Sequence, residues 1–167
     1  MILRPSQKLN ARIKGGTLGV LPRHENPLLD WSAHVFAVGC AEYVLLSNTT
    51  SLYSAVLDAA AIRDAARFTE QVLAVIQAVL EGAGRLPDER LTPVETVRFA
   101  KSLDRSVTGS MNELITHAVA CLADGDLPVA DVGVRLNDIL LSALAGGSNK
   151  YGRPRDAFAA LVAGAGA

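Results

Sequence analysis

Cysteine is scarce in this chain: Cys40 and Cys121 are the only two in 167 residues, and they form no Cys-x-x-Cys pair. That spacing offers neither a disulfide framework nor a zinc site, and it points to a reduced, cytoplasmic setting. Neither thiol has a histidine at a telling distance in sequence, so a cysteine nucleophile is not expected. Strong net charge is also lacking, at −1 overall. No long apolar run interrupts the pattern: the most hydrophobic helical segment carries Arg, Asp, Glu and Gln, and the opening "MILRPSQKLNARIKGG" lacks a signal-peptide core, so no membrane association is expected. There is no Gly-x-x-x-x-Gly-Lys phosphate loop and no Gly-x-Ser-x-Gly elbow. His24, Glu25, Asp30 and His34 are ligand types for a metal, but without the i, i+4 pairing of a helical histidine site. No catalytic residue, metal or cofactor is therefore assigned from the sequence.

What is present is the composition of a globular protein, half apolar and one-fifth charged. A chain of this length fits one domain over residues 1–167, burying roughly 70% of its unfolded surface. Charge is distributed unevenly. Arg4, Lys8, Arg12, Lys14 and Arg23 precede the first acidic residue, and the remaining chain holds eleven basic against seventeen acidic side chains. Such segregation is compatible with nucleic-acid binding through Arg4, Lys8, Arg12 and Lys14, or with a solvated end of the chain; no aromatic residues are interleaved for base stacking.

Along the chain, "MILRP" reads as a strand ended by Pro5, and Ser6 as the cap of a short helix "QKLNARI". The Gly- and Pro-rich connection up to Trp31 is irregular but carries enough Leu and Val to be packed down. Trp31 is expected to plug a sheet edge, and His34 to begin a strand with its ring hydrogen-bonded. Three strands follow, "AHVFAV", "EYVLLSN" and "SLYSAVL", with turns short enough for antiparallel pairing. Residues 60–81 give the clearest amphipathic helix, with Ile62, Phe68, Val72, Leu73, Val75, Ile76, Val79 and Leu80 on one side and Gly82 as its stop. A further strand, "TVRFAKS", a helix capped by Asp104, and helical pieces at "PVADVGVRLNDILLSAL" and "RPRDAFAALV" complete the pattern. The fold class is α+β: an antiparallel sheet of about four or five strands with helices packed on it.

The segment Asp104–Leu122 holds the most unusual feature. Val107, Met111, Leu114, Ile115, Ala118 and Leu122 fall on one arc of the helix, while Arg105, Gly109, Asn112 and Thr116 line up opposite, where Glu and Lys would normally stand. Gly109 in a helix interior costs about 1 kcal/mol relative to Ala, which suggests a close approach to the backbone. Three readings compete. Another segment of the chain packs over Gly109; or the face is a surface for a protein partner or a second copy; or the helix N-terminus, with Lys101, Arg105 and Ser106, holds an anionic or phosphorylated ligand, as a binder or a small enzyme.

The segments "ILRPSQKLNARIK", "NPLLDWSAHVF", "YVLLSNTTSLYS", "VRFAKSLDRSVTGSMNELI", "VGVRLNDILLSAL" and "PRDAF" together resemble a family of bacterial proteins of unknown function. The likeness covers most of the chain, and "RSVTGSMN" is its most specific part. It implies a small bacterial domain and supplies no activity, cofactor or catalytic residue. The leading expectation is thus a cytoplasmic binding module working through Lys101, Arg105, Ser106, Gly109, Asn112 and Thr116.

Overall fold

The computed structural model of the chain describes residues 1–84, 97–103, 105–125, 127–147 and 149–164. Ser6 caps the first helix as its sequence suggests, its hydroxyl accepting from Leu9 N at 3.3 Å. The described elements run β1 (Ile2–Pro5), α1 (Gln7–Arg12), β2 (Asp30–Val38), β3 (Ala41–Asn48), β4 (Ser54–Asp58), α2 (Ala65–Gly82), β5 (Arg98–Phe99), α3 (Arg105–Asp124), α4 (Val129–Leu136) and α5 (Pro154–Gly164). The class is α+β.

The strands lie in the order β4-β3-β2-β1-β5. β2, β3 and β4 form the expected antiparallel run, but β1 pairs parallel with both β2 and β5, so the sheet is mixed and not purely antiparallel. The reason is connection length. Parallel neighbours need a crossover of a dozen or more residues, and the chain from Ser6 to Leu29, containing α1, supplies one. Short turns join only β2 to β3, where Gly39 adopts φ 57°, and β3 to β4, where Leu52 adopts φ 59°.

Alternation along the strands builds two cores. Trp31, Ala33, Val35, Val44, Leu46 and Leu57 face α1, α2 and α5, while Phe36, Leu45 and Val56 face α3 and α4. Because β2 is the central strand, Trp31 is fully buried in the first core and not at a sheet edge; its Nε1 donates to Leu28 O at 2.8 Å and its ring meets Phe158 edge-on. His34 sits in the middle of β2, not at its start, and its ring has no hydrogen-bond partner among the described residues. α2 begins later than its periodicity predicts because Asp64 caps it, accepting from Arg67 N at 2.8 Å. Ile62 lies just ahead of the helix and is still buried. Gly82 is its last helical residue, with the left-handed turn at Gly84, φ 74°. The expected cap Asp104 lies outside the described residues.

The predicted helix through "PVADVGVRLNDILLSAL" ends at Leu136, and the cause is specific. Asn137 leaves the helix to pair with the backbone of Ser54: Ser54 N donates to its Oδ1 at 2.7 Å, and its Nδ2 donates to Ser54 O at 2.9 Å. One turn earlier Gly133 lies flat on the same strand, so that a Cβ there would stand 2.9 Å from Ala55 Cα. α4 thereby covers the exposed edge of β4, the kind of edge that otherwise invites pairing with another chain.

Gly133→Ala tests this contact. Alanine favours a helix, yet the variant is expected to lose about 1–3 kcal/mol in urea unfolding because the helix must back away from β4. Unchanged or raised stability would mean that the approach is not needed.

Candidate functional site

α3 is seated by Val107, Met111, Leu114 and Ala118, all buried in the second core. The Ser110 hydroxyl, also buried, turns back to Ser106 O at 3.0 Å. The opposite side is open: Arg105, Ser106, Gly109, Asn112, Glu113 and Thr116 are all exposed. Thr116 Oγ1 donates to Asn112 O at 3.0 Å, which keeps that side chain against its own helix.

Beyond the backbone of its own helix turn, no described atom lies within 4 Å of where a Gly109 Cβ would be. α5 packs on the other face of the sheet, and α4 lies beside α3 along the β4 edge. Of the described residues none packs over Gly109, so the reading in which another segment of the chain covers it finds no support among them. Lys101 is exposed and lies off the helix, where its backbone is tied down; its N donates to Gly19 O at 2.9 Å and its O accepts from Arg4 Nη1 at 2.9 Å. Near the start of α3 the Ser102 and Thr108 hydroxyls bond each other at 3.2 Å.

The basic first segment is divided between structure and surface. Arg4 is fully buried. Its Nε and Nη2 grip Asp30 Oδ1 and Oδ2, each at 2.8 Å; Nη2 also donates to Pro22 O, and Nη1 to Leu21 O and Lys101 O. All five guanidinium N–H groups are thus used. Burial pushes the Asp30 carboxyl up, but hydrogen bonds from Arg4, the His24 amide and Thr49, with the Arg4 charge, outweigh it and hold the carboxyl below its usual range. Arg12 pairs with Glu42 and donates to Ala59 O at 2.9 Å, fixing α1 to the segment after β4. Of the four cations proposed for nucleic acid, Arg4 and Arg12 hold the protein together, while Lys8 and Lys14 remain exposed.

Two of the surface hollows had no sequence signal, the first because its walls come from distant segments and the second because it forms only when residues 140–147 and 149–157 fold back on one another. One, of about 680 Å³ and within the range of small-ligand sites, lies between α2 and α5, with Tyr53 stacked on Phe158 in its wall. Among the described residues its one cation is Arg155, engaged by Asp138 at 2.6 Å and Asp156 at 3.5 Å. The other, about 390 Å³, includes the exposed Leu140 and Tyr151. Cys40 is exposed in the β2–β3 turn and Cys121 is half-buried on α3; both are free thiols. Among the described residues no three His, Cys, Asp or Glu side chains are grouped to hold a metal. Nor is any described helix long and apolar enough to cross a membrane.

A family model described as a domain of unknown function, DUF6933, matches residues 2–157. The chain belongs to that family. No curated protein matches it. The DUF6933 match runs from β1 into α5, so the Arg4–Asp30 pair, the open face of α3 and the Gly133–Asn137 contact all fall within it.

His34 gives this DUF6933 domain a pH dependence of predictable sign. Burial lowers its pKa below the ordinary histidine value. Well above pH 6.5 the ring is neutral in both folded and unfolded chains. Below that the unfolded chain takes up the proton first, so stability falls as the pH drops toward the lowered folded value. Thermal unfolding between pH 7.5 and 5 is expected to show this fall, and His34→Gln to flatten it; an equal slope in the variant would contradict it.

Proposed function

We propose that the DUF6933 domain is a binding module whose working surface is the exposed face of α3, formed by Arg105, Ser106, Gly109, Asn112 and Thr116 with Lys101 at its margin. The observation that carries the reading is Gly109. A glycine inside a 20-residue helix costs about 1 kcal/mol relative to alanine, and no part of the described chain comes close enough to require it. Gly133 provides the contrast, since there the reason for glycine is a neighbouring backbone.

The chemistry of the face supports the same reading. Its centre is Gly, Asn and Thr, a low-charge surface with hydrogen-bonding groups, flanked by one Arg and one Glu. Interface cores are depleted in charge and enriched in Arg relative to ordinary solvated surface. The first core, the second core and the β4 edge are all closed without help from this face.

The test compares the wild-type chain with Arg105→Ala/Asn112→Ala, and with Arg67→Ala on the exposed side of α2 as a control. Affinity capture followed by reciprocal capture is expected to lose its specific partner with the α3 variant and keep it with the control. The same set of proteins retained by all three chains would remove α3 from the role.

A further inference from the structure

We infer that the occupant of this face is a second copy of the chain, with the two α3 helices laid antiparallel across Gly109; this rests on the reading of α3 as a binding surface. The structural grounds are self-complementarity. Arg105, Gly109 and Glu113 are spaced four apart and exposed, so they form one row along the helix. Arg105 stands one turn before Gly109 and Glu113 one turn after it, each about 6 Å along the axis.

A two-fold axis through Gly109 brings residues at equal distances before and after it face to face. Arg105 of one copy then meets Glu113 of the other, twice per dimer. Asn112 falls opposite Ser106 by the same rule. Among the described residues neither Arg105 nor Glu113 has an ion pair within its own chain, so both charges are available. At the crossing point the absent Cβ lets the two backbones approach closely, as small residues do at tight helix crossings. A parallel arrangement would instead set like charges against each other. That juxtaposition disfavours wrong partners as strongly as complementary charge favours the right one.

One helix pair buries less than the roughly 1,200–2,000 Å² typical of stable complexes. The dimer is therefore weak, concentration-dependent and screened by salt. Both cores of the monomer are complete without it.

Sedimentation equilibrium of the full chain over a concentration series tests the inference. The wild type is expected to dimerise at high concentration and low salt. Arg105→Glu and Glu113→Arg should each weaken dimerisation about tenfold or more, since each sets like charges together twice. The double reversal should restore it, a recovery that simple damage to the helix would not give. Gly109→Gln should abolish the dimer while leaving the melting temperature unchanged or about 2–4 °C higher, because the position is open in the monomer. A monomer at every concentration, or a dimer indifferent to the reversals, overturns the inference. If that monomer still captures a different protein through Arg105 and Asn112, self-pairing fails while the binding-module reading stands; if capture is also indifferent to them, both fail.

Discussion

The buried pairing of Arg4 with Asp30 is the constraint on which the rest of the structure depends. A guanidinium taken out of water is tolerated only when every donor is met. Here that requirement fixes five places in the chain. Arg4 lies on β1 and Asp30 opens β2, so the pair locks the register of the parallel strands, Arg4 beside Ser32 and Ile2 beside Asp30. The remaining donors hold the carbonyls of Leu21 and Pro22, which closes the irregular connection over the sheet. The last goes to Lys101 O, and α3 begins only four residues later. The same interaction therefore joins the parallel part of the sheet and sets the point from which the exposed helix departs.

The polar side of the sheet follows from that anchor. Along the second face, β2 passes from Phe36 through His34 to Ser32 and Asp30. Ser32 and Thr49 share a hydrogen bond of 2.9 Å, and Ser47 and Ser54 one of 2.6 Å. Asn48 organises the turn beyond them, accepting from Thr50 N, Ser51 N and Ser51 Oγ while donating to Pro27 O and Asp30 O. Asn137 carries the same economy of polar groups to the β4 edge. Apart from the His34 ring, the hydrogen-bonding side chains of these residues are met internally. What stays open is the outward face of α3.

Local elements were legible where local physics decides them. The Ser6 cap, the antiparallel run of β2 to β4, the apolar stripe of α2 and the division of α3 into seated and exposed sides all follow from local composition, turn length, side-chain period and capping. The family resemblance was legible too, through the "RSVTGSMN" block. Long-range decisions were not. Nothing in "MILRP" announces that Arg4 will be buried, because its partner is 26 residues away; the long connection after it leaves room for a crossover, and hence a parallel strand, but in the sequence it reads only as an irregular, packed segment, and the sheet expected is antiparallel. Asn137 ended a helix whose apolar period continued, since the competing partner was a strand 83 residues earlier. Trp31 was misplaced because strand order decides what is central. Within the candidate face, Glu113 was not singled out from the sequence, although its spacing from Gly109 mirrors that of Arg105.

The organising role of the anchor is open to one direct measurement, the unfolding free energy of Asp30→Ala in urea at neutral pH. Removing the carboxylate leaves the guanidinium buried without its counter-charge, and the predicted loss is about 3–5 kcal/mol. A loss below about 1 kcal/mol, the scale of an exposed ion pair, would contradict it and show that the sheet and the start of α3 are held by something else.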